Sequence, residues 1–486
     1  MSKSKTGNSF WSRWKWLIEI VIFSAIAGLL IYAVPMEGLE FEGKVMLVMF
    51  LWCVALWIAK PLEEWLVSVI ACVILVIFFG INHKGLLSGF QNPGWFLVIF
   101  SQMIGITMVM TGLGRRMAYF IVSKLGKGGA LMANYAVGAT TALCTLIIPS
   151  AGARTSTLVN IVDELSESLG FKRGEKGGES LVMTGMFVNT TGTIMFLTGT
   201  NTIPMGLAIV MEATGRTMSW GEWFAAGFLP GAICCLLIPL YTHFLYRPKK
   251  AKGAAAPTKQ IDVTFAKHAL AEMGPMSTGE KWSLICFTLT VLLWATGSLT
   301  GIDANIVPWL TVFLLLIPNF APGTSKEIIK EVPWSAMLWI GLAMGMANNV
   351  NSTGGFQWLV NTFFTSNPAV QSLSYTGFLI VWLLLVLFIH IIFAGMDPMV
   401  TLFTPIGMSI AMALGFDVFT VGVITIMAVC VGANFMAFNS QSNLLWCVTN
   451  RFTPGQQLGA ACLINVSVAV VLLLTLLFYW PLIGMV

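Results

Sequence analysis

Two places in this chain break a rule that lipid imposes on polypeptide. Backbone crossing a bilayer must satisfy its own N–H and C=O groups. It therefore crosses as helix, and irregular backbone is tolerated at depth only where protein buries it or it lines a wet cavity. Residues 148–157 read Ile-Pro-Ser-Ala-Gly-Ala-Arg-Thr-Ser-Thr, and residues 393–401 read Phe-Ala-Gly-Met-Asp-Pro-Met-Val-Thr. Each lies within long apolar sequence and combines Pro, Gly and one full charge, Arg154 or Asp397. A charge at bilayer depth costs roughly 2.5–3.5 kcal/mol on insertion scales, so it marks a functional position. Two such breaks in matching places of two halves point to a transporter's binding site.

The rest of the sequence supports a membrane reading. Only 10% of the 486 residues are charged and 57% are hydrophobic, too few charges to cover the surface of a soluble fold. Several runs reach the length of about 20 apolar residues that spans a bilayer. The pattern predicts an all-α polytopic protein with about 11 transmembrane helices and two re-entrant hairpins. After a basic tail, a first span is expected at 16–34 and is read as retained rather than cleaved. Residues 1–43 hold this tail and extra span. The first repeat, 44–246, has spans at 44–60, 63–81 and 95–113, then a short amphipathic helix at 115–124. A re-entrant hairpin at 131–166, a broken span at 180–211 and a span at 222–246 complete it. A polar linker, 247–280, carries Lys249, Lys250, Lys252 and Lys259. The second repeat, 281–486, follows the same order: 281–300, 303–320, 334–350, a short helix at 355–364, a hairpin at 373–415, a broken span at 417–447 and a last span at 459–484.

Loop charges test this layout. With the N-terminus in the cytoplasm and both hairpins re-entrant, only Lys44, Lys84 and Arg216 fall outside, and Arg154 lies within. Every other Lys and Arg is cytoplasmic, as the positive-inside rule requires, and the C-terminus is outside. Each half has an odd number of spans, so the second runs inverted and binding is expected at the midplane.

The tips carry a family resemblance. Pro149-Ser150-Ala151-Gly152-Ala153-Arg154 is similar to the Pro-Ser-Asn-Thr-Ala-Arg tip of the dicarboxylate-translocator branch of the divalent anion:sodium symporter family. The helix 160–170, the break 196–204 and, less closely, Gly395-Met396-Asp397 with Val400, Thr401 and Pro405 resemble that family too. At the first tip its Asn and Thr are replaced, and at the second Asp397 stands where a neutral hydroxyl is expected. The resemblance implies inverted repeats, opposed hairpins, a homodimer, and a transport domain that moves like an elevator past a scaffold. It implies no particular substrate.

The residues themselves suggest an anion site. A hairpin tip exposes backbone N–H groups at the start of its second helix, and that positive helix end favours negative charge. At the first tip Ser150, Ala151, Gly152, Arg154 and Thr155 would meet substrate, joined by Thr200, Asn201 and Thr202 from the broken span. Arg154 could contact substrate, tie the hairpin to carbonyls or to Asp163, or snorkel. Asp397 could pair with Arg154, bind a coupling Na⁺ or H⁺, or act as N-cap before Pro398. Asn439, Ser440, Ser442 and Asn443 form the polar lining opposite. Sodium would be held at Ser150, Gly199 and Asn201, and at Gly395, Asp397, Ala437 and Asn439. His390 reads as a packed residue bonded to a carbonyl, with a proton relay as the alternative.

These features predict a secondary transporter of a small anion, such as a di- or tricarboxylate, sulfate or sulfonate, in a bacterial-type inner membrane. It would be driven by Na⁺ or H⁺, or work by exchange. A Na⁺/H⁺ antiporter of related fold is the alternative that Asp397 favours. No phosphate-cradling loop, HExxH motif or nucleophile elbow is present, so neither an enzyme nor an ATP-driven pump is expected.

Overall fold

The computed structural model describes residues 10–125, 129–148, 150–216, 218–247, 264–303, 305–318, 320, 323–365, 367–393 and 395–485. Pro149, Ala394 and the linker lysines Lys249, Lys250, Lys252 and Lys259 lie outside the described residues. Among the described residues the secondary structure is helical throughout, with no strand. Seven helices among the described residues are long and apolar enough to cross a membrane, and four more there are apolar but shorter. Two of the seven, Ala130–Ile147 and Met396–Leu414, are hairpin arms.

Both expected hairpins are present. The first pairs Ala130–Ile147 with Ala151–Ser168, so the second arm starts at the near edge of the expected tip. The second pairs Tyr375–Ile389 with Met396–Leu414. Both arms of the first pack on Lys176–Thr191, and both arms of the second on Val418–Gly432. Each of these helices then breaks. The first passes through a 3-10 turn at Gly192–Met195 before resuming as Thr202–Thr214; the second passes through Ala437–Asn439 before Gln441–Cys447.

The hairpins open toward opposite ends of the molecule. At one end the base of the first is clamped by Arg451, which pairs with Asp163 and donates to the Phe171 carbonyl at 3.1 Å. Arg116 meets Glu280 at 2.6 Å at this end. At the other end the base of the second stacks Tyr375 near Phe416, and Thr420 reaches the Met485 carbonyl at 3.0 Å. Arg216 lies over Phe419 there, 3.9 Å from the ring.

Around the hairpins lies a second group of helices. Phe41–Ala59, Glu64–Phe79 and Pro93–Met110 associate with Thr278–Ala295, Val307–Leu315 and Trp334–Ser352. Glycines let the segment 83–91 pack tightly on Trp334–Ser352. A Cβ on Gly89 would stand 2.0 Å from the Gly341 carbonyl, and one on Gly345 2.0 Å from the Leu86 carbonyl. Gly138 and Gly192 also let helices pack closely: a Cβ would meet Pro239 Cγ at 2.8 Å and Cys235 Sγ at 3.2 Å. Thr140, Thr141 and Thr145 return their hydroxyls to carbonyls one turn back, which satisfies them within an apolar arm.

Two local readings of the sequence need amendment. The linker, read from sequence only as polar, contains a helix, Thr264–Glu272, packed on Leu113–Leu125 with Phe265 beside Tyr119. Asp397 is not the N-cap of its helix. Gly395 takes that place at φ +108°, a backbone region that glycine adopts freely, and Asp397 falls in the first turn.

We predict that Gly89→Val costs about 1–3 kcal/mol, because the added side chain must displace backbone on a facing helix. A lower melting temperature in detergent is the expected result; wild-type melting would show that the two segments separate without loss.

Candidate functional site

The two tips and the two breaks meet at one cavity of about 530 Å³. Ser150, Ala151 and Gly152 border it from the first tip, and Gly395, Met396, Asp397 and Pro398 from the second. Thr200, Asn201 and Thr202 come from one break, and Phe438, Ser440, Gln441 and Ser442 from the other. The remaining wall belongs to the outer group of helices: Lys60, Glu63, Glu64, Gln102, Ser335 and Trp339. Most sequence-predicted residues therefore converge. Arg154, Thr155, Gly199, Ala437, Asn439 and Asn443 stand behind the cavity wall rather than on it.

The first tip is shaped by its helix start. Ser150 caps Ala151–Ser168 by accepting from the Ala153 N–H at 3.3 Å. The N–H groups of the first turn have no carbonyl partner inside their own helix. Their approach is open, since a Cβ on Gly152 would meet only Ser150 Oγ, at 4.0 Å.

Arg154 holds this tip to its break. It is fully buried. Its Nη1 donates to the Ile148 carbonyl at 2.7 Å and the Gly199 carbonyl at 3.0 Å. Its Nε donates to Asn189 Oδ1 at 2.6 Å, and Nη2 to the Asn189 carbonyl at 3.1 Å. Asn189 in turn donates to Thr155 Oγ1 at 2.9 Å. Of the three roles open to Arg154, this geometry is that of a tie to carbonyls. Asp163 is engaged elsewhere, by Arg451 and Arg173.

A neutral side chain does the same work at the second tip. Asn439 Nδ2 donates to the carbonyls of His390 at 2.8 Å and Phe393 at 2.6 Å, while its Oδ1 accepts from the Met436 N–H. His390 is buried with Nε2 2.9 Å from the Val429 carbonyl, the packed arrangement its context suggested. Behind the tips a polar network joins the breaks. Thr190 bonds Asn443 at 3.2 Å, Asn443 holds the Ala433 carbonyl at 2.7 Å, and Asn434 contacts Thr191 and Asn465.

Asp397 faces the cavity and accepts a hydrogen bond from Thr202 Oγ1. Among the described residues it makes no ion pair with Arg154. Sequence reasoning did not single out Asn189, Asn434 or Asn465, nor Gln102. Gln102 is 4% exposed and borders the cavity.

Opposed hairpins, broken helices and a polar cavity between them define a class: a polytopic membrane transporter built from inverted repeats. Residues 12–486 match the family described as sodium:sulfate symporter transmembrane region, and the chain belongs to that family. Its relatives include dicarboxylate transporter 1 of Spinacia oleracea chloroplasts, 27% identical over 84% of this chain and 71% of the relative. The L-tartrate/succinate antiporter of Escherichia coli strain 536 is 25% identical over 71% of this chain and 73% of its own length. The crystal structure of the Alcanivorax borkumensis YdaH transporter shares the fold, with a TM-score of 0.55 at 13% identity, over 84% of this chain and 88% of that one.

Removing Asn189 tests the tie. Asn189→Ala should cost about 1–3 kcal/mol or more, because it strips the Nε hydrogen bond from a buried cation and the bond that Asn189 donates to Thr155. Ser156→Ala on the exposed face of the same helix is the control, expected to melt like wild type. Equal stability of both variants would show that Arg154 finds other acceptors.

Proposed function

We propose that this chain is a secondary transporter of small carboxylate-bearing anions, working by exchange across a bacterial-type inner membrane. The observation that carries the reading is the single cavity walled by both tips and both breaks. The open N–H groups at Ser150–Gly152 supply the anion-binding end, as helix starts do. The names of the relatives, which handle dicarboxylates, tartrate and succinate, support the same substrate class.

The cavity reaches the turn of Lys60, Glu63 and Glu64, the end that also carries Arg116 and Arg451. Charge bias makes this the cytoplasmic end, with the N-terminus inside and the C-terminus outside. The cavity then faces the cytoplasm. In this reading a dimer holds the outer helices still while hairpins and breaks carry the substrate across.

The sodium that the family description names fits the first tip poorly. The Gly199 carbonyl, expected to hold a cation, is already held by Arg154, whose guanidinium supplies positive charge there. At the second tip Asn439 points N–H donors at the turn carbonyls rather than offering them an oxygen. A permanent charge in place of an ion that comes and goes favours exchange over sodium symport.

The test is uptake into proteoliposomes preloaded with a dicarboxylate, over a panel of dicarboxylates, citrate, sulfate and sulfonates. Counterflow of at least one carboxylate is expected, unchanged when Na⁺ is replaced by K⁺. Dependence on a sodium gradient would reject exchange in favour of symport. Cation flux without any anion would identify a Na⁺/H⁺ antiporter instead.

A further inference from the structure

A second cavity, of about 520 Å³, shares no lining residue with the one between the tips. It opens beside Ser219 and the turn 301–305, at the far end of Thr278–Ala295 from Arg116 and Glu280. Charge bias makes this the outer end. The cavity runs along the boundary between the two groups of helices. Leu207 and Met211 of Thr202–Thr214 and Trp220 of Trp220–Leu245 form one side. Leu97 of Pro93–Met110 and Trp294 of Thr278–Ala295 form the other. The two indoles stack across the boundary, with ring centroids 6.1 Å apart and planes within 5°.

Three features of this crevice call for three parts of one ligand. Its charged lining residues are Glu222 and Asp303, both exposed at its mouth, and no Lys, Arg or His lines it among the described residues. Each carboxylate holds one neighbouring N–H, of Ser219 at 2.7 Å and of Asn305 at 2.8 Å, and a carboxylate can accept several more. Trp220 is 5% exposed, and its Nε1–H is buried without a hydrogen-bond partner among the described residues. A buried indole N–H normally has an acceptor, and leaving it unpaired is costly. The sides between are apolar. A metal ion would answer the carboxylates alone, and a hydrocarbon chain the sides alone.

We propose that this crevice binds a phospholipid with a primary ammonium headgroup, of the phosphatidylethanolamine type, drawn from the outer leaflet. The ammonium sits between Glu222 and Asp303, near the indole faces that attract a cation. A phosphate or ester oxygen accepts from Trp220, and an acyl chain covers Leu97, Leu207 and Met211. The carboxylates repel a headgroup that carries only negative charge.

The test is binding to the whole protein in detergent, read by native mass spectrometry and by the rise in melting temperature that a bound lipid confers. Phosphatidylethanolamine should bind about tenfold or more tighter than phosphatidylglycerol, the size of one hydrogen bond to a charged group. Glycerophosphoethanolamine, the same headgroup without tails, should bind far more weakly than the lipid. In the double variant Glu222→Gln, Asp303→Asn the preference between the two lipids should disappear. Gln and Asn keep the oxygens that hold Ser219 and Asn305, so the lipid-free double variant should melt like wild type. Glu37→Gln, at an outer carboxylate away from the crevice, should leave the preference intact. Trp220→Phe should melt no lower than wild type without lipid, since it removes an unpaired donor, yet bind phosphatidylethanolamine about threefold to tenfold more weakly. Equal binding of the two lipids by wild type, or a preference that survives in the double variant, overturns the proposal. Tail-less headgroup binding as well as lipid overturns it too. None of these readouts involves transport, so the proposal can fail while the transport reading stands.

Discussion

Carbonyl oxygens left over where helices break are the constraint on which the site depends. A buried acceptor without a donor costs about 1–3 kcal/mol, and a broken membrane helix exposes several at once. Three side chains answer most of this demand. Arg154 serves Ile148, Asn189 and Gly199; Asn439 serves His390 and Phe393; Asn443 serves Ala433. With these oxygens satisfied from behind, the backbone of each tip is held in place and its N–H side can face the cavity. The breaks are thus rigid features, held from the protein side so that the cavity side stays free.

Much of the architecture was legible because lipid permits so few solutions. Long apolar runs can only be helices, and charge bias with the odd span count led to opposed hairpins. The misses were local. Asp397-Pro398 has the signature of a cap followed by a first-turn proline, but Gly395 can adopt a backbone angle that other residues avoid, and the helix starts earlier. Thr264–Glu272 was hidden by a basic, small-residue linker beside it, although its Ala, Lys and Glu favour helix.

The site was legible in outline and opaque in its wiring. Charge, glycine and proline mark both tips, since each is costly within a span. Nothing in the sequence says that Arg154 turns inward to Asn189 instead of outward to a ligand, because that choice depends on which neighbour lies within 3 Å after folding. Gln102 is a single amide in an apolar helix, and only the assembled wall reveals what it faces. Asn434, Asn465 and Thr191 are equally silent alone; their meaning lies in meeting each other.

The network behind the tips also sets an order of assembly. Thr190 finds its partner 253 residues further along the chain, Thr191 meets Asn434 across 243, and Asp163 is paired by Arg451 across 288. During synthesis the first break enters the membrane long before any of these partners exists. Its polar groups must then be met by water, lipid headgroups or an insertion factor until the second repeat arrives. Contacts this distant in sequence form late and leave sticky intermediates exposed. The half made first is a structure in waiting for these partners.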